Sequence, residues 1–327
     1  MLNKKGSVLI VFALLMGLMV SCGSPAAPAA TAQPAAPEPT QIAHTTIPGN
    51  PGAPKEEMND IDTSKTAGDR TAAGDSFRLG IFERPFTKEG MNYQQEIDIL
   101  SMELTEDENF YYFSIRLAGA ATDGTLSATY GIEIDTDRDS RGDFLLWAKG
   151  MNHLEWAIDD VLLLRDSNKD VGGASPAKAD SATSNGYDQV LFSKDMLADP
   201  DVAWQRVNPN NRNIIQLAVK KSVVNSASFM WKGWADSGLA DPSKFDYNDT
   251  MSENHAGSPN KNSEYYPIDY LFLMDSTCWT AYEFDATGFE PGGCYIAPKP
   301  VTCHCSNPIY NNSSDCINRG KAQWICN

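Results

Sequence analysis

Short segments that alternate apolar and polar residues recur along the chain from Phe77 onward. Glu96–Leu104 alternates for most of its length, and Phe110–Leu117 is rich in aromatic and β-branched side chains. Both features are typical of β-strands, and Gly, Asn, Asp and Pro occupy many of the intervening positions, as they do in turns. The predicted strands cover residues 77–82, 96–104, 110–117, 129–134, 160–164, 189–192, 214–219 and 228–231.

Strands at this spacing predict an all-β fold, an antiparallel β-sandwich of the jelly-roll-like kind. The regular alternation of strands with long helices that a parallel sheet requires is missing from the sequence. Only Ser193–Ala198 and Lys220–Val224 indicate short helical turns.

The order of three segments resembles a known family. The segments are Asp98-Ile-Leu-Ser101, then Glu108-Asn-Phe-Tyr-Tyr-Phe-Ser-Ile-Arg-Leu-Ala-Gly119, then Tyr130-Gly-Ile-Glu-Ile-Asp-Thr-Asp137. Together they resemble the family 9 carbohydrate-binding modules and the related DOMON sandwiches, over residues 77–235. The resemblance implies a non-catalytic sandwich that binds a sugar or, as in some relatives, haem. No ligand residue of that family matches a residue of this sequence one to one.

The first 21 residues have the features of a bacterial export signal. Lys4 and Lys5 precede an apolar run from Val8 to Val20, which has the length of a signal-peptide core and is short for a transmembrane helix. Met19-Val-Ser-Cys22 resembles a lipobox, in which the cysteine is acylated. We therefore expect residues 1–21 to be a lipoprotein signal peptide and Cys22 to carry a membrane-anchoring lipid. An ordinary secretory signal with an incidental cysteine is the alternative.

The composition divides the remaining chain into three parts. Residues 22–75 contain eight of the 19 prolines and almost no aromatic residues, so we expect a disordered, Pro/Ala-rich tether. The β-sandwich domain is predicted over residues 76–275, and a Cys-rich segment over residues 276–327. The resulting protein would be extracytoplasmic and attached to the bacterial cell membrane or surface.

The net charge of the chain limits the classes of partner that it can bind. Asp and Glu number 43 against 26 Lys and Arg, a net charge of −17. Nucleic-acid binding requires a basic face that neutralises phosphate, so the sequence excludes that class. An acidic chain instead attracts cations, including metal ions.

Two acidic loops have the spacing of calcium ligands. Alternate carboxylates in a loop can turn several oxygens toward one point, which suits a cation that takes six to eight oxygen ligands. The candidate ligands are Asp135, Asp137, Asp139 and Asp143 in the first loop and Asp166, Asn168 and Asp170 in the second. Neither loop has the Glu at its twelfth position that an EF-hand requires. We expect Ca²⁺ in these loops, with a solvated acidic turn as the alternative.

Aromatic residues are the candidate ligand-binding groups. Trp231 and Trp234, separated by Lys and Gly, are predicted to stack on sugar rings at a strand end, whereas burial in the core is the alternative. The sequence has no Gly-x-Ser-x-Gly elbow, no phosphate-binding Gly loop and no His-Glu-x-x-His motif, so we expect no enzyme.

The C-terminal cysteines indicate disulfide bonds. If Cys22 carries lipid, six cysteines remain, and an even number in an exported chain predicts three disulfides. These cysteines are Cys278, Cys294, Cys303, Cys305, Cys316 and Cys326. We expect Cys278 to pair with Cys294 across a turn-rich segment, and the other four to form a disulfide-stapled tail. A zinc site of those four cysteines is the alternative.

These features predict a non-catalytic cell-surface lipoprotein whose calcium-stabilised β-sandwich binds extracellular carbohydrate. The competing interpretation is a structural or adhesion module of the cell envelope with no small-molecule ligand. A haem-binding redox domain would need a pair of axial ligands, and the sequence indicates none. Protein partners are not indicated.

Overall fold

The computed structural model describes residues 42–120, 125–171, 186–196, 198–241, 251–288, 290, 292–294, 303–306 and 324–326. The regular secondary structure of these residues consists mainly of two β-sheets, in which all paired strands are antiparallel. The α-helices in the described chain are two segments of four residues. The prediction of an all-β sandwich is therefore confirmed.

The first sheet has five strands. They are β1 (Glu56–Asn59), β3 (Ile99–Glu106), β4 (Phe110–Leu117), β9 (Ala203–Val207) and β10 (Ile214–Lys220). Their order across the sheet is β1-β3-β4-β10-β9. β3 and β4 form a hairpin around the turn that the acidic and polar residues between them predict.

The second sheet has eight strands. They are β2 (Phe82–Arg84), β5 (Thr129–Asp135), β6 (Phe144–Ala148), β7 (Val161–Arg165), β8 (Gln189–Phe192), β11 (Phe229–Asp236), β12 (Met274–Ser276) and β13 (Thr280–Tyr282). The order is β2-β12-β11-β5-β6-β7-β8, and β13 pairs with a further stretch of β11. Strands β5 to β8 follow one another as hairpins, so both acidic loops lie at turns of this sheet.

Short elements complete the described fold. The helices are α1 (Lys221–Val224) and α2 (Glu253–Ala256), and 3₁₀ turns cover Thr63–Lys65, Ala67–Asp69 and Phe77–Leu79. The helical turn predicted over residues 220–224 is confirmed by α1. The one predicted over residues 193–198 is a single turn, in which Met196 N–H donates to the Ser193 carbonyl.

The main core lies between the two sheets. Side chains at alternate positions of each strand point to the same face, so one set from each sheet meets its counterpart. Ile132, Ile134 and Trp231 of the eight-stranded sheet share this core with Ile115 and Leu217 of the five-stranded sheet. Each fully buried apolar side chain of this size stabilises the fold by about 1.5–3 kcal/mol.

The eight-stranded sheet is also covered on its other face. Leu145, Trp147 and Trp234 project there and pack with Leu271 and Met274 in a second apolar cluster. Consequently β6 is buried along its whole length and shows no alternation of apolar and polar residues. That is why the sequence pattern did not predict β6.

Residues 42–75 belong to the folded unit, which corrects the tether expected over residues 22–75. The compact unit begins at Ile42. The buried Asp201 carboxylate accepts hydrogen bonds from the backbone N–H groups of Thr45 and Thr46, and β1 pairs with β3. Backbone hydrogen bonds of this kind offset the entropy lost when the segment becomes ordered, which its composition of few apolar residues would not do by itself. Residues 1–41, including the expected signal peptide and Cys22, lie outside the described residues.

Two other expected boundaries also differ. The first predicted strand, over residues 77–82, is a 3₁₀ turn followed by β2. Ser76 caps this turn by accepting the Leu79 N–H, and Gly80, at φ 67°, ends it in the left-handed conformation that glycine tolerates. The boundary expected at residue 275 falls inside β12, so the sandwich continues into the segment assigned to the tail.

The predicted disulfide between Cys278 and Cys294 is confirmed, with Cα atoms 4.9 Å apart. Further along, β14 (Cys303–Cys305) pairs with β15 (Trp324–Cys326) in a two-stranded sheet. Its register places Cys303 opposite Cys326. Cys316 lies outside the described residues.

Candidate metal centre

The tryptophans predicted to bind sugar are buried, which corrects that assignment. Trp231 is 0% exposed and Trp234 is 1% exposed. The two residues are three positions apart on β11, so they point to opposite faces of a sheet that is covered on both sides. Trp231 packs against Phe113 in the main core, with ring centroids 5.5 Å apart. Neither ring offers a face on which a sugar could stack.

Trp234 belongs to a buried polar network. Its indole N–H donates to the Glu133 carboxylate at 2.5 Å, and the Tyr187 hydroxyl donates to the same carboxylate. Lys232 lies 3.3 Å from Glu133 and donates to the Gly80 carbonyl at 3.1 Å. Burial lowers the pKa of Lys232, although the charge of Glu133 opposes that shift. The network is a satisfied structural element of the sheet's covered face.

The first acidic loop joins β5 to β6. Asp135, the last residue of β5, accepts backbone N–H groups from Arg138 at 2.5 Å and from Ser140 at 2.7 Å. Asp143, next to β6, accepts the Thr136 N–H at 2.7 Å. Two carboxylates therefore organise the loop from its two ends.

The second acidic loop, between β7 and β8, has the same local geometry. Asp166 accepts backbone N–H groups from Lys169 at 2.8 Å and from Val171 at 3.0 Å, which are again three and five residues ahead. Asn168 Nδ2 donates to Asp170 Oδ2 at 2.9 Å. The repeated pattern of acidic and polar residues thus produces a repeated loop conformation.

The fold brings the two loops together, because β6 and β7 are neighbours in the sheet. Asp166 N–H donates to the Asp143 carbonyl at 3.0 Å. Lys169 of the second loop lies 3.1 Å from Asp137 of the first. A cavity of about 80 Å³ lies between the loops, and Asp139 and Asp143 are among its lining residues.

Within the described chain, three residues of the first loop fit a metal ion together. Asp135, Asp137 and Asp143 each place a carboxylate oxygen within 4.8 Å of the others. Burial, with a smaller contribution from the charges of Asp139 and Asp143, raises the pKa of Asp135 to about 7. A cation at this position would relieve that cost of burying negative charge. Oxygen-only ligands of this kind suit Ca²⁺.

The other predicted ligands lie near this group but outside it. Asp139 instead accepts the Arg141 N–H at 3.0 Å. Asp166 lines the shared cavity, and Asn168 and Asp170 contact each other. The sequence treated the two loops as separate sites, and it did not identify Lys169 as a positive charge between them. The available signal was the position of a lysine inside the second acidic loop.

A surface cavity of about 520 Å³ lies elsewhere, beside β6 and β7. Lys149, Asp159, Lys194 and Asp195 are among its polar and charged lining residues, and Trp147 also lines it. Its volume falls in the range of small-molecule sites.

Comparisons with known protein families, curated proteins and solved structures find no match to this chain. Among the described residues, no helix has the length and apolar character needed to span a membrane.

Proposed function

We propose that this chain is a non-catalytic, lipid-anchored extracytoplasmic protein whose β-sandwich is stabilised by calcium and serves a structural or adhesion role. The observation that carries the proposal is the group of three carboxylates, Asp135, Asp137 and Asp143, which the first acidic loop gathers at one turn of the sheet. The disulfide between Cys278 and Cys294 supports an oxidising location. The burial of Trp231 and Trp234 favours the structural role over sugar stacking.

Asp137 is the most informative residue for testing the calcium site. Its side chain is exposed and its ion-pair partner is the exposed Lys169, so the Asp137→Asn substitution removes a ligand charge with little effect on packing. Thermal unfolding of the full chain should shift upward in CaCl₂ relative to EDTA, because an ion that binds the folded state stabilises it. Asp137→Asn should weaken the calcium affinity of this site by about tenfold or more.

Asp139→Asn is the matched control. It removes the same charge from the same loop, but Asp139 lies outside the group of three oxygens. We expect this variant to retain most of the calcium response. Equal losses in the two variants would indicate a diffuse acidic surface and would count against a defined site.

Carbohydrate binding is the second candidate, and the cavity lined by Lys149, Asp159 and Lys194 is the observation that favours it. These side chains would hydrogen-bond sugar hydroxyls, and Trp147 at the cavity wall would report binding by its fluorescence. Saturable binding of one glycan class, abolished by Lys194→Ala, would favour this function. If no polysaccharide in a broad panel binds, the structural role is favoured instead.

A further inference from the structure

Four acidic side chains converge at the edge where the two sheets meet. Asp60 directly follows β1 and Asp98 directly precedes β3, both in the five-stranded sheet. Glu83 and Asp275 lie on β2 and β12 of the eight-stranded sheet, directly opposite each other in the strand register. The four residues come from distant parts of the chain, so no local sequence motif indicates that they lie together.

The cluster is enclosed by protein. Glu83, Asp98 and Asp275 are each 0% exposed, and Asp60 is half-buried. Carboxylate oxygens of Asp60, Glu83 and Asp275 lie within 4.8 Å of one another. Asp98 is close enough for its charge to act on both Asp60 and Asp275.

Each carboxylate has one oxygen held by a donor. Asp60 Oδ1 accepts the Ile61 N–H at 3.0 Å, and Glu83 Oε2 accepts the Thr63 hydroxyl at 2.8 Å. Asp275 Oδ2 accepts the Ile99 N–H at 2.6 Å, a bond that crosses from one sheet to the other.

Asp98 Oδ2 accepts two hydrogen bonds, from the Tyr93 hydroxyl at 2.5 Å and from the Ser64 N–H at 3.2 Å. These donors fix the orientation of the four carboxylates.

The second oxygen of each carboxylate is buried and receives no hydrogen bond from a donor group of the described residues, and the Asp60 and Glu83 carboxyl groups face each other. These atoms are Asp60 Oδ2, Glu83 Oε1, Asp98 Oδ1 and Asp275 Oδ1. Buried polar atoms are almost always paired, so four orphaned acceptors in one cluster require an explanation. A positive charge is the partner that such oxygens lack.

The described side chains supply no such charge. None of the ion pairs among them includes any of the four carboxylates. Arg84, the neighbour of Glu83 on β2, is already bound to Asp75 and donates to the carbonyls of Ala256 and Leu271.

We propose that Asp60, Glu83 and Asp275, with Asp98 beside them, form a buried Ca²⁺ site that joins the two sheets at this edge, separate from the site in the acidic loops. A ligand set of carboxylates with no nitrogen or sulfur selects a hard cation. Calcium fits better than magnesium, since it accepts irregular sets of six to eight oxygens whereas magnesium demands an octahedron. The ion would attach the segment around Asp60 to both sheets.

The alternative is that protons occupy the cluster. Burial, together with the neighbouring acidic charges, raises the pKa of Asp60 to about 7 and that of Glu83 far above its usual range. Two carboxyl groups could then share a proton without any ion. When a carboxylate is replaced by its amide, a bound ion predicts the loss of one calcium, whereas shared protons predict no change in calcium binding.

Glu83→Gln is the primary test variant, and calorimetric titration of the chelator-treated full chain with CaCl₂ is the measurement. The wild type should bind two ions, Asp137→Asn should lose the loop ion, and Glu83→Gln should lose the buried ion. Glu57→Gln, an exposed acidic residue on β1, is the matched control and should lose neither. A parallel titration with MgCl₂ should show weaker binding at the buried site.

Thermal unfolding shows whether Glu83→Gln still folds. In EDTA this variant should melt at or above the wild-type temperature, because the amide replaces an acidic group whose burial beside other acidic groups is unfavourable. In calcium it should fall below the wild type, because the ion no longer binds. If Glu83→Gln does not fold, Asp60→Asn at the half-buried position supplies the same comparison.

Unchanged stoichiometry in Glu83→Gln would overturn the proposal and assign the cluster to shared protons. A wild-type protein that binds one ion, lost in Asp137→Asn, would also overturn it. Loss of an ion in Glu83→Gln with no loss in Asp137→Asn would instead uphold the buried site and refute the loop site. The two proposals can therefore fail independently.

Discussion

The carboxylate of Asp201 attaches the start of the folded unit to the sandwich, and its removal should be measurable. The side chain is 0% exposed and lies 2.8 Å from His44 Nδ1, Thr45 N, Thr45 Oγ1 and Thr46 N. Burial alone would raise the pKa of Asp201, but these hydrogen bonds outweigh it and lower the pKa from 3.8 to about 2.

The sign of the pH dependence follows from this depressed pKa. A carboxyl group that is more acidic in the folded state stabilises the fold above its unfolded pKa, and the contribution is lost as pH falls through the folded value. The shift corresponds to about 2 kcal/mol at pH 7 and to about 1 kcal/mol at pH 3. We expect Asp201→Asn to lower the free energy of unfolding by these amounts.

Urea denaturation of the wild type and Asp201→Asn at both pH values tests this expectation. Asp69→Asn, which changes an exposed side chain in the same N-terminal region, should leave stability unchanged at either pH. The other carboxyl groups titrate in both proteins, so their effect cancels in the difference. A difference below about 0.5 kcal/mol at pH 7, or one that does not shrink toward pH 3, would refute the role assigned to the hydrogen bonds.

Two further predictions concern packing and covalent structure. A Cβ at Gly233 would lie 2.1 Å from the Met102 sulfur in the main core, so Gly233→Ala should destabilise the fold by about 1–3 kcal/mol. A double-mutant cycle with Met102→Ala checks this, since the penalty should shrink when the sulfur is gone. Peptide mapping without reduction should recover Cys303 linked to Cys326, because β14 and β15 place them opposite each other. Any other partner for Cys303 would contradict that register.

The strands that the sequence predicted best are those whose pattern is local. Phe110–Leu117 and Gln189–Phe192 have the predicted bounds, because β-branched or aromatic residues follow a clear turn. β6 and β9 are buried throughout and carry no alternation, so they were not predicted. β1 was not predicted, because its proline-rich surroundings indicate disorder. Its order comes from pairing with β3, which lies far along the chain.

For the candidate sites too, the sequence predicted the features that depend on neighbouring residues and missed those that depend on contacts between distant parts of the chain. The acidic spacing of each loop is local, so the sequence alone indicated the candidate ligands of each loop. The approach of Lys169 to Asp137 depends on the order of strands in the sheet, which the sequence did not indicate. Likewise, Trp231 and Trp234 were misassigned because exposure depends on what covers each face of the sheet.

The attachment of residues 44–46 to Asp201 also limits how far the sandwich can stand from a membrane. If Cys22 carries the lipid, as proposed, Ile42 is only 20 positions away along the chain. A polypeptide extends at most about 3.5 Å per residue, so this connection spans no more than about 70 Å. A spacer that lasted to residue 75 would have allowed more than twice that height. The lipid anchor would therefore hold the domain within this distance of its own bilayer.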